Sequence, residues 1–101
     1  MSKILNFLGI AQKAGALTLG GNLTEAGVKK NNVFLILISE DASENTRKRF
    51  NPAAENTKYQ LMEIHVTMDE LGRATGKSNI SVIGVTDAGI AKKLKELAMI
   101  M

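Results

Sequence analysis

One uninterrupted apolar run, Val33 to Ile38, constrains the fold of this chain more than any other feature of its sequence. The run is rich in β-branched and aromatic residues and has the length of a strand. A strand without alternating polar residues has no face for water, so other elements must cover both sides of its sheet. The run therefore predicts the central strand of a layered α/β domain.

Helical and strand patterns alternate on both sides of that run. Ile4, Leu8 and Ala11 recur at helical spacing up to Gly15, a residue suited to ending a helix. The next predicted elements are a strand at Leu17 to Leu19, a helix from Asn22 to Lys30 with Leu23, Ala26 and Val28 on its inner side, the central strand, and a helix capped by Ser43. A helix from Pro52 to Gln60 follows, either separate from the preceding helix or joined to it by a kink at the proline. After it we predict a strand from Met62 to Val66 and a helix that the capping box Thr67 to Glu70 opens and that runs through Ala74. The last predicted elements are a strand from Ile80 to Val85 and a C-terminal helix capped by Thr86 or Asp87.

This order of helices and strands predicts a three-layer α/β/α sandwich, with helices on both faces of one sheet and right-handed crossovers between parallel neighbours. The length of 101 residues and an apolar content of 45% suit one hydrophobic core. We therefore expect residues 1–101 to form a single domain.

The composition narrows the classes of function. The chain has no cysteine and one histidine, His65, which argues against disulfides, thiolate zinc sites and His-rich metal sites. We expect no metal and no cofactor, and the lack of cysteine suits a cytoplasmic location. No apolar run reaches the roughly 18 residues that a membrane helix needs, so we expect no membrane partner.

The formal net charge of +3 favours polyanionic partners weakly. Aromatic residues make up 4% of the chain and tryptophan is absent, so a base-stacking platform for single strands is poorly supplied. A folded RNA, recognised through its backbone and shape, fits this composition better.

The segment Thr18 to Asn22 joins a predicted strand to the start of a predicted helix. Free backbone N–H groups and the helix dipole at such a start can receive a phosphate or a base edge. The same residues also suit a tight turn that needs glycine, with Asn22 as the helix cap. Lys29 and Lys30 stand at the other end of that helix, where their charges suit the helix dipole.

Two charged clusters invite a functional interpretation. Glu40 and Asp41 follow the central strand, at the edge where open α/β sheets often bind ligands. No companion base or nucleophile motif accompanies them, so a turn that caps the next helix is favoured over catalysis, and we expect no enzyme. Arg47 to Arg49 is the densest basic cluster, typical of a solvated helix face, with phosphate contact as the alternative.

Four segments together carry a resemblance that covers nearly the whole chain: Leu8 to Gly15, Gly20 to Asn22, Leu35 to Thr46, and Glu70 to Ala74 with Gly76. They are similar to the bacterial YlxQ-type members of the kink-turn-binding ribosomal protein family, the L-seven-Ae and L-thirty-e group. The resemblance implies an α/β/α sandwich with a mostly four-stranded mixed sheet. It also implies that the start of the second helix binds RNA kink-turns at their tandem sheared G·A pairs.

Carried over residue by residue, Gly20 and Asn22 match the contact motif of that family. Leu23 stands where an acidic or amide residue is expected, and Ala26 stands where a lysine is expected. Neither side chain can accept a hydrogen bond from a guanine edge or meet a phosphate. RNA is therefore kept as the ligand class, without the standard kink-turn as its necessary target.

The resemblance also implies a second contact region in the loop before the last strand and a place for Asp41 beside the binding surface. We expect non-catalytic binding of structured RNA, either kink-turn-like or ribosomal RNA. The alternative is a module on the same scaffold that binds a protein partner, which the apolar Leu23 indicates. The predicted RNA-binding residues are Gly20, Gly21, Asn22, Lys29, Lys30, Asp41, Arg47, Lys77, Ser78, Asn79 and Ile80.

Overall fold

The computed structural model describes residues 2–51 and 59–101. In that part of the chain, helices and strands alternate in the predicted order. They are α1 (Lys3–Lys13), β1 (Leu17–Leu19), α2 (Gly21–Lys29), β2 (Leu35–Ser39), α3 (Glu44–Arg49), β3 (Gln60–Ile64), α4 (Met68–Thr75), β4 (Val82–Val85) and α5 (Ala88–Met99).

The four strands form one mixed sheet in the order β1-β4-β2-β3. β2 pairs in parallel with β3, whereas β4 runs antiparallel to both β1 and β2. The mixed four-stranded sheet expected from the resemblance is confirmed. The general expectation of parallel neighbours holds for β2 and β3, and β4 departs from it because it enters the sheet between β1 and β2 in the opposite direction.

Helices cover both faces of this sheet. One apolar core lies under α1, α4 and α5 and includes Leu8, Leu71 and Leu94. The other lies on the side of α2 and α3 and includes Val33 and Phe50. The predicted three-layer α/β/α arrangement is therefore present.

β2 is the central strand that the apolar run predicts. Every residue from Leu35 to Ser39 is buried, as a strand covered on both faces requires. The strand begins two residues later than predicted. Val33 is buried without joining the ladder, and Phe34 is 47% exposed although its N–H donates to the Val85 carbonyl at 2.9 Å.

The prediction for the inner face of α2 is confirmed for Val28, which packs against the core on that side, and is wrong for Leu23 and Ala26. Leu23 is 60% exposed and Ala26 is exposed, whereas Thr24 and Gly27 are buried. The reason is the closeness of the helix to the sheet and to the segment before β2. A Cβ at Gly84 on β4 would lie 3.1 Å from a Thr24 methyl carbon, and a Cβ at Gly27 would lie 2.9 Å from a Val33 methyl carbon. Small residues face the sheet here, so apolar periodicity misplaced Leu23 and Ala26.

Several predicted ends of helices and strands are confirmed, and others lie at different residues from those predicted. Gly15 follows α1 with a φ of 73°, as its role at a helix end requires, and Asp87 caps α5 through the Ile90 N–H. Gln60 begins β3 and does not end a helix, so β3 starts and ends two residues before its predicted bounds. The rest of the helix predicted at residues 52–60 falls mainly on residues outside the described part of the chain.

The start of α4 and the position of β4 also agree closely with the prediction from the sequence. The capping box of Thr67 and Glu70 is present at the start of α4. β4 begins at Val82, two residues after the predicted start, because Ile80 instead donates its N–H to the Met68 carbonyl.

Across residues 2–51 and 59–101, no helix combines the length and apolar character needed to cross a membrane.

Candidate functional site

The candidate site lies at the edge of the sheet where β2 ends and β4 begins. There the Ser39 N–H donates to the Ser81 carbonyl at 3.0 Å, and the Glu40 N–H donates to the Val66 carbonyl at 2.9 Å. The antiparallel pairing of β2 and β4 brings the carboxyl end of one strand beside the amino end of the other. Segments that are distant in sequence therefore meet at this edge.

The glycine turn, Gly20 to Asn22, is tied to this edge by its backbone. Gly20 has a φ of 90°, which favours glycine, and its N–H donates to the Val82 carbonyl at 3.0 Å. Its own carbonyl accepts the Thr24 N–H at 3.1 Å, which is the first hydrogen bond within α2. The N–H groups of Gly21, Asn22 and the next residue precede that bond and point out of the helix start.

Asn22 does not cap α2, contrary to one of the two interpretations of the turn. The cap residue is Gly20, and no side chain of the described residues makes a cap hydrogen bond there. Asn22 lies inside the first turn, where its side-chain oxygen accepts from Arg49 Nη2 at 3.2 Å. The start of α2 is thus held by backbone contacts and leaves its first N–H groups without a capping side chain.

The loop from Lys77 to Ile80 lies next to the start of β4. It packs so closely on Gly72 that a Cβ there would lie 2.7 Å from the Asn79 nitrogen. Asn79 takes a left-handed φ of 50°, and the Lys77 N–H donates to the Gly72 carbonyl at 2.8 Å. The loop is therefore fixed against α4, and it leads within two residues to Val82, whose carbonyl holds Gly20.

Asp41 lies at the same edge and contacts α4. Its Oδ1 accepts the Met68 N–H at 2.9 Å, so this carboxylate meets the positive end of the α4 dipole. The capping box of Thr67 and Glu70 serves the same helix start. Asp41 therefore has a structural partner at the position that the sequence analysis assigned to the binding surface.

Arg49, a member of the basic cluster Arg47 to Arg49 that is not among the predicted RNA-binding residues, lies over the start of α2. Its Nε donates to Glu25 Oε2 at 2.8 Å, and a Cβ at Gly21 would lie 2.6 Å from its Nη1. The guanidinium carbon also lies 5.2 Å from the centre of the Phe50 ring. Nothing in the sequence pairs α2 with α3, so only the tertiary structure reveals this contact.

The ion pair with Arg49 changes the acidity of Glu25. The hydrogen bond from Arg49 and its positive charge lower the pKa of the Glu25 carboxyl below its ordinary value. Lys29 lowers this pKa further, and its Nζ lies 3.7 Å from Glu25 Oε1. One carboxylate thus holds two cations, which leaves this cluster with an excess positive charge beside the glycine turn.

Arg47 points away from this cluster. It forms an ion pair with Glu63 on β3, and its Nη2 donates to the Glu40 carbonyl at 3.1 Å while its Nε donates to the Ala42 carbonyl at 3.3 Å. These contacts fasten the turn after β2 to the sheet. The guanidinium of Arg47 therefore has three acceptors within the protein.

The structure brings most of the predicted binding residues together, but not all of them. The glycine turn, Asp41 and the loop from Lys77 to Ile80 share the edge of the sheet described above. Lys29 and Lys30 stand at the far end of α2, about 12 Å from Gly21 along the helix at about 1.5 Å per residue. Lys29 is linked back toward the turn through Glu25.

No group of three or more His, Cys, Asp or Glu residues that could hold a metal ion occurs within residues 2–51 and 59–101. His65, the single histidine, lies just beyond β3 and is exposed.

Comparison with known proteins gives relatives over nearly the full length of the chain. It is 34% identical over 95 residues to the RNA-binding protein YlxQ of Enterococcus faecium, covering 94% of this chain and 90% of that protein. It is 33% identical over 90 residues to the RNA-binding protein YlxQ of Bacillus subtilis, covering 89% of each.

Solved structures share the fold. A Bacillus halodurans protein of unknown function superposes with a TM-score of 0.88 at 32% identity, covering 98% of this chain and 99% of that one. The Giardia lamblia 15.5kD RNA binding protein superposes with a TM-score of 0.73 at 21% identity, covering 95% of this chain and 82% of that one, which is a likeness of fold. The sequence profile of one family matches residues 2–95, in agreement with the resemblance seen in the sequence. The chain belongs to the ribosomal protein L7Ae/L30e/S12e/Gadd45 family.

Proposed function

We propose that this protein binds structured RNA without catalysing a reaction. The observation that carries the proposal is the start of α2, where the glycine turn presents backbone N–H groups that no side chain of the described residues caps. Such a helix start attracts phosphates and other acceptors. The RNA-binding names of the YlxQ relatives support RNA as the ligand class.

The proposed interface consists of three parts at one edge of the sheet. The glycine turn faces the RNA, the loop from Lys77 to Ile80 flanks it, and Asp41 follows β2 at the same edge, against the start of α4. Lys77 adds a positive charge, and Ser78 and Asn79 add polar groups. Lys29, Lys30 and Arg47 complete the proposed set as sources of positive charge in the surroundings.

The target need not be a standard kink-turn. Leu23, which is 60% exposed, and the exposed Ala26 bring no hydrogen-bonding group to the interface. Because hydrogen bonds to base edges carry sequence discrimination, their loss favours binding through shape and backbone. Ribosomal RNA is therefore proposed beside kink-turn-like RNA, with the cytoplasm as the place of action.

The test is a titration of the purified protein against three RNAs at two salt concentrations. The RNAs are a standard kink-turn, the same RNA with its G·A pairs disrupted, and total ribosomal RNA. Preference for the intact kink-turn would show that the interface tolerates Leu23 and Ala26. Binding to ribosomal RNA without that preference would identify a different structured target, and lack of binding to all three at low salt would contradict the proposal.

A second candidate function is a protein-interaction module on the same scaffold. The observation that favours it is the exposed side chain of Leu23, an apolar group beside the glycine turn. Leu23→Gln distinguishes the two functions, because it should disrupt binding of a protein partner and leave RNA binding unchanged or stronger. A partner that co-purifies after nuclease treatment, and is lost in this variant, would support the second candidate.

A further inference from the structure

We infer that Arg49 is a phosphate-binding residue of this interface, supplied by α3 to the start of α2. The inference rests on the proposed RNA binding and adds a specific contact to it. It follows from the position of the guanidinium beside Gly21 and Asn22, together with the absence of a cation within the first turn of α2 itself.

The structure orients Arg49 from several sides. Glu25 Oε2 accepts from its Nε at 2.8 Å, Asn22 Oδ1 accepts from its Nη2 at 3.2 Å, and the guanidinium carbon lies 5.2 Å from the centre of the Phe50 ring. A long side chain held in this way loses less conformational entropy when it binds a ligand. Arg49 therefore has a defined direction before any RNA arrives.

The guanidinium keeps donors for a ligand. Arginine has five N–H donors, and the hydrogen bonds to Glu25 and Asn22 leave Nη1 without an acceptor among the described residues. The side chain of Arg49 is 38% exposed, so solvent reaches part of it. A phosphate can accept two parallel hydrogen bonds from a guanidinium, and the charge makes them stronger than neutral ones.

The same phosphate could also meet the helix start. Nη1 lies close to Gly21, whose N–H precedes the first hydrogen bond within α2. The guanidinium and the N–H groups of this turn thus form one anion-attracting surface. Lys29, which shares the Glu25 carboxylate, leaves the cluster positively charged even though Arg49 is paired.

This contact would compensate for what α2 lacks. Leu23 and Ala26 offer neither charge nor hydrogen bond, so α2 by itself has no cation before Lys29. Arg49 supplies a positive charge from α3. Its guanidinium fits there because Gly21 has no side chain. A methyl group at Gly21 would lie 2.6 Å from Nη1 and would displace the guanidinium.

The experiment compares wild-type protein, Arg49→Gln and Lys92→Gln in salt-dependent titrations with the tightest-binding of the three RNAs named above. Arg49→Gln should weaken binding about tenfold and reduce the slope of log K against log salt by roughly 1, the share of one phosphate contact. Lys92→Gln is the matched control, because it removes one positive charge from α5. Lys92 lines a groove with Phe34 and Leu35 at the opposite end of β2, so its replacement should leave both quantities nearly unchanged.

A second variant separates the phosphate contact from a structural role. Gly21 does not have a positive φ, so its backbone tolerates alanine, and the side chain that must move is the flexible end of Arg49. Gly21→Ala should weaken binding while the melting temperature stays at or above that of the wild type. In the Arg49→Gln background the same change should have little further effect, because the residue that it displaces is already gone.

The outcomes distinguish this inference from the proposed function. If the wild type binds none of the RNAs, both fail. If the wild type binds but Arg49→Gln keeps its affinity and salt slope, the inference about Arg49 is wrong and the proposed function stands. A Gly21→Ala effect that is equally large without Arg49 would also overturn the inference, because the methyl group would then be acting on the RNA directly.

Discussion

Thr18, Thr24 and Gly84 show how single residues set the position of α2. The hydroxyls of Thr18 and Thr24 lie 2.9 Å apart and form a hydrogen bond, and Gly84 lies directly beneath them on β4. A Cβ at Gly84 would overlap the Thr18 hydroxyl and come within 3.1 Å of a Thr24 methyl carbon. The absence of a side chain at this position therefore allows α2 to lie close to the sheet.

Gly84→Ala should lower the free energy of unfolding by about 1–3 kcal/mol, the usual cost of overpacking a tight core. Urea unfolding at equilibrium measures this change. Gly89→Ala is the control, because a Cβ there would lie 3.4 Å from the Asp87 carboxylate oxygen at the exposed start of α5. The control should be neutral or slightly stabilising, and an equal loss in both variants would contradict the explanation.

The acidity of Glu25 offers a second test at the scale of one residue. Because Arg49 lowers its pKa in the folded protein, the ion pair stabilises the fold above the unfolded-state pKa and loses that effect as the pH falls through the folded-state pKa. A carboxyl NMR titration should therefore give a pKa below the ordinary glutamate value. In Arg49→Gln the value should rise toward the ordinary one, and an unchanged value would mean that the pair does not form in solution.

At the scale of the element, α2 marks the limit of sequence-based prediction in this chain. Its existence and approximate ends were predicted correctly, but two of the three residues expected on its buried side, Leu23 and Ala26, are exposed. Burial at Thr24 and Gly27 depends on contact with Thr18, Val33 and Gly84, which periodicity of apolar residues cannot detect. By contrast, the capping box at the start of α4 is a local pattern, and it was predicted and is present.

In the candidate site too, some residues could be predicted from local sequence patterns and others could not. The glycine turn could be found from sequence because glycine and a helix start are local signals. The contact of Arg49 with the helix start could not, since its partner Glu25 is 24 residues away in the chain and the basic cluster Arg47 to Arg49 does not show which of its side chains points there. The side-chain direction of Arg47, toward Glu63 on β3, was equally hidden, because three consecutive helical residues point in different directions.

A prediction at the scale of the element concerns Lys29 and Lys30, the two lysines at the C-terminal end of α2. If Lys29 and Lys30 contact phosphates, replacing both with Ala should weaken RNA binding and reduce its salt dependence by up to roughly 2 in slope. Nitrocellulose filter binding at several salt concentrations measures both quantities. Replacing Lys92 and Lys95 on α5 with Ala removes the same charge elsewhere, and an equal effect of the two double variants would indicate a general influence of net charge.

At the scale of the whole molecule, the alternation of helices and strands was enough to predict the three layers. The family resemblance implied a mixed sheet, but the direction and place of β4 were predicted neither from it nor from the alternation, which alone suggests parallel neighbours. Connectivity of this kind depends on contacts between distant segments. The cores on the two faces of the sheet then determine which helices share a side.

The position of β4 also has a consequence for the order in which the protein matures on the ribosome. This strand joins β1 to β2, and its first residue, Val82, holds the glycine turn through the Gly20 N–H. A nascent chain that has emerged only as far as α4 thus has the β2–β3 pair, an unpaired β1 and an untethered start of α2. Because translation proceeds from the N-terminus, competence to bind a ligand at this edge would arise only after β4 has emerged.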